Sequence, residues 1–400
     1  MTRPRHAMLI GAERVPGRAG RTLPATDPYD ASVIATIPDA APADVHAAVS
    51  AAQAAFDGWR TVSGLDRARL MHRLADVMER DAQRLGEMES RDNGKLVRGT
   101  VAQAWFSART YRYFAGYADK LFGKSIPLDD LDKLNYTLRE PVGVAALITA
   151  WNSPMRLLAN KLAPALAAGC CVVVKPSEHA SLTTLDMADL LEEAGFPAGV
   201  VNIVSGGAEA GQALVSHPGL GRISFTGSVP TGQAIAAAAS RALVPVTLEL
   251  GGKSPNIVFD DADLDLAATG AVSGIFAAGG QTCIAGSRLL VERTVYDAMV
   301  SRIIALTSRI RLGDPMSPQT HMGPVANEPQ LTRVREMIAA GQQGGAVVVS
   351  GTEPLGPISA KASSCGRPCS PTSIRRRESL KRRSSGRSSA SSPSPPKTKP

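Results

Sequence analysis

Residues 142–175 read VGVAALITAWNSPMRLLANKLAPALAAGCCVVVK, and this stretch decides the fold. The apolar run Val142–Thr149 predicts a strand, Leu157–Ala168 has helical spacing, and Cys171–Lys175 predicts a second strand. Strands that are apolar throughout and alternate with helices are typical of a parallel sheet covered on both faces. We therefore predict a doubly wound α/β fold.

The same alternation of strand and helix extends in both directions along the chain. Three more strands are predicted at Val200–Val204, Arg222–Thr226 and Val246–Leu250. Helices are predicted at Ala43–Trp59, Asp66–Asn93, Val101–Ala118, Leu182–Ala194, Ala208–Val215 and Thr231–Ser240. After these, strands at Asn256–Phe259 and Arg288–Glu292 and helices at Asp263–Ala278 and Val295–Ile310 predict a second α/β unit. Residues 119–139 break the helical pattern and are predicted to project as a hairpin.

Charge and cysteine content limit the function classes. Residues 351–400 contain 11 Lys and Arg against 2 Asp and Glu, whereas residues 1–350 contain 33 against 34. The body of the chain is therefore neutral, which argues against a nucleic-acid-binding surface. The apolar runs are shorter than the roughly 18 residues that a membrane span needs. Five cysteines without framework spacing and no signal-like start predict a cytoplasmic protein with no membrane partner.

Four polar residues follow predicted strands of the parallel sheet: Asn152, Lys175, Ser228 and Glu249. Ligands of such sheets bind at the carboxyl ends of the strands, so these residues predict one shared site. For Lys175 alone, the alternative is a solvated strand end.

A thiol and a carboxylate could act together in this site. Cys283 follows the pair Gly279 and Gly280, where the backbone can turn tightly. Its sulfur could attack a carbonyl carbon, and Glu249 could activate the water that releases the acyl group. Taken singly, Cys283 could be an inert buried thiol and Glu249 a salt-bridged strand end.

Five short blocks give the sequence a specific resemblance. They are AWNSP (150–154), KPSE (175–178), FTGSVPTG (225–232), ELGGKSP (249–255) and GGQTC (279–283). In identity, order and spacing they resemble the aldehyde dehydrogenase superfamily, over residues from about 20 to about 350. The resemblance implies NAD-dependent oxidation of an aldehyde to its carboxylic acid through a cysteine thiohemiacetal and a thioester. Cys283 is then the nucleophile, Glu249 the base, and Asn152 an oxyanion donor together with the backbone N–H of Cys283.

The resemblance also implies a cofactor site. Its residues are Trp151, Lys175, Ser177, Glu178, Gly227, Ser228, Gly232 and Leu250. Lys175 and Glu178 would hold the adenosine ribose, and Ser228 with the following helix start would face the pyrophosphate. A carboxylate at Glu178 would repel a 2′-phosphate, which favours NAD, with NADP as the other possibility.

By the same resemblance, the chain divides into named parts. Residues 1–118 and 140–250 would form the NAD-binding domain, 119–139 an oligomerisation arm, and 251–350 a partial catalytic domain. The intact parent is expected to be a homo-oligomer, and this is doubtful for the present chain.

The tail 351–400 is rich in Ser, Pro and Arg and is predicted to be disordered. Reading the codons of Arg377–Pro400 one base out of frame can spell EEIFGPV, the next motif of the superfamily. We therefore predict a frameshifted, truncated C-terminus, which could leave this chain inactive.

The sequence departs from the superfamily beside the catalytic Asn152. Ala150 and Ser153 stand where a Pro and a Phe are usual, which should widen and polarise the substrate entrance. Arg156 could face that entrance and favour a substrate with oxygen or carboxylate substituents, or it could lie at the surface. Two other functions stay open: a non-catalytic binding or structural protein of this fold, and a nucleic-acid binder acting through the basic tail.

Overall fold

The computed structural model describes residues 6–348 together with the backbone of Ser373–Ile374. The predictions for the tail 351–400 therefore lie outside the described residues, apart from that two-residue strand. Within the described part, none of the helices is long and apolar enough to cross a membrane.

Eleven α-helices are present in the described part of the chain. They are α1 (Pro42–Thr61), α2 (Gly64–Arg80), α3 (Ala82–Asn93), α4 (Val97–Ala115), α5 (Pro154–Ala168), α6 (Leu182–Ala194), α7 (Ala208–Val215), α8 (Val229–Ser240), α9 (Leu264–Phe276), α10 (Tyr296–Thr307) and α11 (Glu328–Gln343).

The strands are short. They are β1 (Met8–Ile10), β2 (Glu13–Val15), β3 (Thr22–Thr26), β4 (Val33–Pro38), β5 (Ser125–Ile126), β6 (Asn135–Tyr136), β7 (Val144–Ile148), β8 (Cys171–Lys175), β9 (Val201–Ile203), β10 (Arg222–Gly227), β11 (Val246–Leu250), β12 (Pro255–Val258), β13 (Arg288–Val291), β14 (Val347–Val348) and β15 (Ser373–Ile374).

A seven-stranded sheet in the order β11-β10-β7-β8-β9-β1-β2 forms the centre of the molecule. The strands from β11 to β9 are parallel to their neighbours, and β1 and β2 add antiparallel strands at the far edge. Every residue of β7 and β8 is buried because helices cover both faces. This confirms the predicted doubly wound α/β sheet.

One predicted helix is in fact two. The prediction joined Asp66–Asn93, but α2 ends at Arg80 and α3 begins at Ala82. Asp81 between them has φ −94° and ψ 9°, and its carboxylate pairs with Arg80 and Arg84. Aspartate favours helix ends, because its short side chain can bond to nearby groups instead of supporting a continuous helix. The spacing of apolar residues continues across Asp81, so it did not predict the break.

The second α/β unit is smaller. Strands β12 and β13 pair in parallel, and α9 packs against α10. Its buried cluster consists of Val258, Ala268, Ala271, Met299 and Ile303. Helix α11, which the sequence did not predict, begins after Asn327, whose side chain accepts a hydrogen bond from the Gln330 N–H at 3.0 Å.

Residues 119–139 form a hairpin in which β5 pairs antiparallel with β6. Its large apolar side chains are exposed, with Leu131 94% and Phe122 76% accessible. An exposed set of this kind marks an interaction surface rather than a core.

Candidate active site

The Cys283 loop is a strained turn that follows α9. Ala278, Gly279 and Gly280 all have positive φ, at 52°, 63° and 74°. A left-handed backbone is costly for alanine and costs little for glycine, so the glycine pair allows most of the turn. Beyond it, Cys283 is a free and exposed thiol.

Asn152 contacts this loop directly. It lies in the turn between β7 and α5, and its Nδ2 donates to the backbone oxygen of Gln281 at 2.9 Å. Gln281 is itself fixed, because its Oε1 accepts a hydrogen bond from the Ala326 N–H at 3.0 Å. The side-chain amide of Asn152 is therefore hydrogen-bonded to the residue two positions before Cys283 in the sequence.

Glu249 reaches the same region from the edge strand β11. It pairs in register with Thr226 of β10, and its side chain is exposed rather than salt-bridged within the described residues. The chain then turns at Gly252, where an added β carbon would lie 3.8 Å from the carbonyl oxygen of Cys283. Strand β11, in which Glu249 is the last residue but one, is thus followed by a segment that lies close to the cysteine loop.

Lys161 is a functional candidate that sequence reasoning missed. It lies on the buried face of α5, is 8% exposed, and donates from Nζ to Ser224 Oγ at 2.9 Å. Burial lowers the pKa of Lys161 to about 8, and the negative charge of Glu249 acts in the opposite direction. The sequence feature that could have identified Lys161 is a lysine on an apolar helix face, next to Leu158 and Leu162.

The ribose-binding candidates lie after β8. Lys175 is 5% exposed, donates from Nζ to the Pro176 oxygen at 3.0 Å, and lies 3.9 Å from a carboxylate oxygen of Glu178. Burial lowers the pKa of Lys175. Ser177 holds the loop, since its Oγ accepts from the His179 N–H and its carbonyl accepts from Ser181 Oγ. Lys175 is therefore a buried cation and not a solvated strand end.

The pyrophosphate candidates lie after β10. Ser228 caps α8, its Oγ accepting from the Thr231 N–H at 3.3 Å. Gly227 pairs with Leu250 across the strands, and a β carbon on Gly232 would lie 2.7 Å from Leu250 Cδ2. Glycine at 232 therefore lets the start of α8 approach β11 closely.

Two buried hydroxyls support a polar ligand at this edge. The Oγ1 atoms of Thr149, just after β7, and Thr226, on β10, have no hydrogen-bond partner within the described residues. Buried polar atoms are ordinarily paired, so unpaired hydroxyls beside the candidate cofactor residues fit a ligand that would supply the partners. The residues present thus fit a dinucleotide.

Trp151 and Arg156, two residues selected from the sequence, contact α3 and α4 respectively. Trp151 contributes its backbone oxygen, which lies 3.5 Å from Asn93 Nδ2. Arg156 donates to the Phe106 oxygen at 2.9 Å and to Thr110 Oγ1 at 2.8 Å, so its guanidinium is held against α4. The contact is at the exposed side of α4, with the guanidinium 5.9 Å from the Phe106 ring centroid, which fits the surface alternative; a role of Arg156 at the substrate entrance stays a prediction.

A cavity of about 380 Å³ is lined in part by residues of the cysteine loop. Gln281, Thr282 and Ile284 line it from the loop, and Ser153 lines it next to Asn152. Cys283 is not itself a lining residue, but Thr282 and Ile284 on either side of it are, so the cavity adjoins the cysteine loop.

Comparisons with known proteins find relatives of this chain in both sequence and structure. Residues 15–375 match the model of the aldehyde dehydrogenase family, which extends the match beyond the expected limit near residue 350. An aldehyde dehydrogenase of Emericella nidulans is 44% identical over 347 residues, covering 86% of this chain and 70% of that protein.

Solved structures give the same result. The NAD⁺ complex of aldehyde dehydrogenase from Bacillus cereus is 40% identical with a TM-score of 0.86, covering 88% of this chain and 72% of that one. A 3,6-anhydro-L-galactose dehydrogenase in complex with NAP is 35% identical with a TM-score of 0.88, covering 90% and 76%.

Proposed function

The chain belongs to the aldehyde dehydrogenase family, and from that premise we propose that Cys283, Glu249 and Asn152 carry out the oxidation of an aldehyde to its carboxylic acid. The sulfur of Cys283 forms a bond to the carbonyl carbon, giving a thiohemiacetal whose oxygen bears negative charge as it forms. Asn152 has two amide N–H groups, one of which bonds Gln281. The other, with the Cys283 N–H, stabilises the oxyanion.

NAD, when bound, would supply the hydride acceptor next to the carbon attached to Cys283, and loss of that hydride would leave a thioester on the sulfur. Glu249 then removes a proton from water, the oxygen adds to the thioester carbon, and the C–S bond breaks to release the acid. The exposed position of Glu249 lets water reach it. We propose that Lys175, Ser177 and Glu178 hold the ribose and that Trp151, Gly227, Ser228, Gly232 and Leu250 line the remaining cofactor site.

The observation that carries this proposal is the convergence on one loop. The hydrogen bond from Asn152 to Gln281 and the approach of Gly252 to Cys283 bring three separate sequence blocks together. Following NAD reduction by absorbance over a panel of aldehydes tests the function directly. We expect turnover with at least one aldehyde; no turnover with any of them would overturn the proposal for this chain.

We also propose a domain division, an assembly and a location. Residues 1–118 and 140–250 build the cofactor domain around the main sheet, and 251–350 provide the cysteine loop. The exposed hairpin 119–139 serves as a homo-oligomerisation arm, supported by its accessible Leu131 and Phe122. Free cysteines in the described residues support a cytoplasmic location.

We expect Asn152→Ala to lower kcat by about 10²–10³-fold with little change in KM, because the lost donor acts on the oxyanion rather than on the ground-state aldehyde. Steady-state NADH formation measures both constants. The matched control is Asn160→Ala, an exposed asparagine on α5 that should retain wild-type kinetics. A loss that appears only in KM would contradict the oxyanion role.

We expect Glu178→Gln to shift the preference between cofactors toward NADP by about tenfold, since removing a like charge near a 2′-phosphate relieves on the order of 1.4 kcal/mol of repulsion. The measurement is the ratio of kcat/KM for NAD and NADP. Glu140→Gln removes a charge from an exposed glutamate outside the site and should leave the ratio unchanged. An unaltered ratio in Glu178→Gln would place the 2′-hydroxyl elsewhere.

A further inference from the structure

The cavity beside the cysteine loop has two walls of different character. One part of the lining is formed by Gln281, Thr282 and Ile284 of the cysteine loop, and a second wall comes from the α3–α4 connection and the start of α4. That second wall includes Lys95 and Arg98. A molecule in this cavity would therefore contact both the Cys283 loop and two cationic residues.

The lining of this cavity has cations but no carboxylate. Lys95, Arg98 and His321 line it, and no Asp or Glu is among the described residues that do. Arg98 is exposed, and its guanidinium makes no hydrogen bond or ion pair with another residue in 6–348. An unpaired guanidinium offers a planar pair of N–H donors that matches a carboxylate or phosphate.

Lys95 is held toward the cavity by a polar chain. Its Nζ donates to Ser153 Oγ at 2.8 Å, and Ser153 in turn donates to the Asn152 oxygen at 2.7 Å. The Gln103 amide, oriented to satisfy both its groups, accepts from Lys95 Nζ and donates to Glu89 at 3.1 Å.

Glu89 does not line the cavity, but its negative charge acts on Lys95: burial lowers the pKa of that ammonium and the charge of Glu89 raises it in opposition, so the uncompensated cation is Arg98. Glu89 is fully buried behind the polar chain, where its carboxylate accepts from the Met155 N–H at 3.1 Å. His321 faces Arg311, with its Nδ1 3.2 Å from the Arg311 backbone nitrogen. The group free to bind a substrate is thus the Arg98 guanidinium, and the Lys95 ammonium adds a second positive charge to the same lining.

Resting on the proposed function, we propose that the substrate is an anionic aldehyde whose negative group binds Arg98 and Lys95 while its carbonyl carbon meets Cys283. The charged group supplies binding and orientation, and no covalent step occurs there. Position 153 matters because an aromatic side chain there could not accept the Lys95 hydrogen bond. The selected cations are Arg98 and Lys95, since Arg156 is held against α4.

The first test compares 4-oxobutanoate with its neutral methyl ester. We expect the wild-type chain to prefer the acid, and Arg98→Gln to lower kcat/KM for the acid by about 10- to 100-fold, mainly through KM, as loss of a charge-assisted hydrogen bond does. The methyl ester should be unaffected. Arg335→Gln, an exposed arginine of α11, is the control and should change neither substrate. Comparing glyceraldehyde 3-phosphate with 4-oxobutanoate shows whether the anionic group that the site recognises is a phosphate or a carboxylate.

The second test does not need turnover. Iodoacetamide alkylates the thiol of Cys283, and mass spectrometry of the peptide that contains it gives the rate. We expect succinate to slow this alkylation and succinamide not to, and we expect Arg98→Gln to remove the protection while Arg335→Gln keeps it.

The outcomes separate the two proposals. Oxidation of the ester and acid with equal efficiency, insensitive to Arg98→Gln, would overturn the anionic substrate and leave the aldehyde dehydrogenase function standing. Equal protection by succinate and succinamide would overturn it as well. Failure to oxidise any aldehyde, with succinate protection present and lost in Arg98→Gln, would overturn the proposed function alone.

Discussion

Replacing Cys283 with alanine is expected to reduce aldehyde oxidation by about 10⁴-fold or more, since alanine cannot form the covalent bond to the carbonyl carbon and loss of a nucleophile removes the catalytic unit as a whole. The thiol is free and exposed at the end of the strained turn, which is where an attacking sulfur has to be. NADH formation in the steady state measures the loss.

An ester substrate allows acylation of Cys283 to be measured without the cofactor. p-Nitrophenyl acetate should acylate Cys283 and release one equivalent of nitrophenolate in a burst, because the same thioester forms without hydride transfer. Cys283→Ala should show no burst. Cys171→Ala is the control, since that thiol is fully buried in β8 and should not react. A full burst in Cys283→Ala would assign the nucleophile to another residue.

The parts of the fold that the sequence predicted correctly are those with a local cause. Strands β8 and β11 and helices α6 and α7 have the predicted bounds, because apolar runs and helical spacing are set by burial within each segment. The shared edge followed from the parallel arrangement, which brings the carboxyl ends of all these strands together.

The remaining features depend on contacts between distant segments. Lys161 of α5 reaches Ser224 of β10, 63 residues later in the chain, and the partners of Arg156 lie on α4, about 50 residues earlier. The cavity likewise combines Arg98 of α4 with the cysteine loop after α9. The spacing of residues along the sequence does not predict such long-range contacts.

Glu249→Gln should separate the two halves of the reaction. We expect the nitrophenolate burst to be retained, since the Cys283 thiol can still be acylated, and the steady-state rate after it to fall by about 10²–10⁴-fold, the usual contribution of a general base. The amide has nearly the same shape as the carboxylate but cannot take a proton from water. The acylated enzyme should therefore accumulate, with the mass of one acetyl group on the peptide that contains Cys283.

Because Glu249 lies on an edge strand, a glutamate on the other edge strand of the same sheet is a closely matched control. Glu13 lies exposed on β2 at the opposite edge of the same sheet, so Glu13→Gln makes the same chemical change in a similar setting and should leave both phases intact. If Glu249→Gln lost the burst and the steady state together, the carboxylate would be acting on the thiol rather than on the water. Because β11 leads through Gly252 to the Cys283 backbone, we expect instead that only deacylation fails.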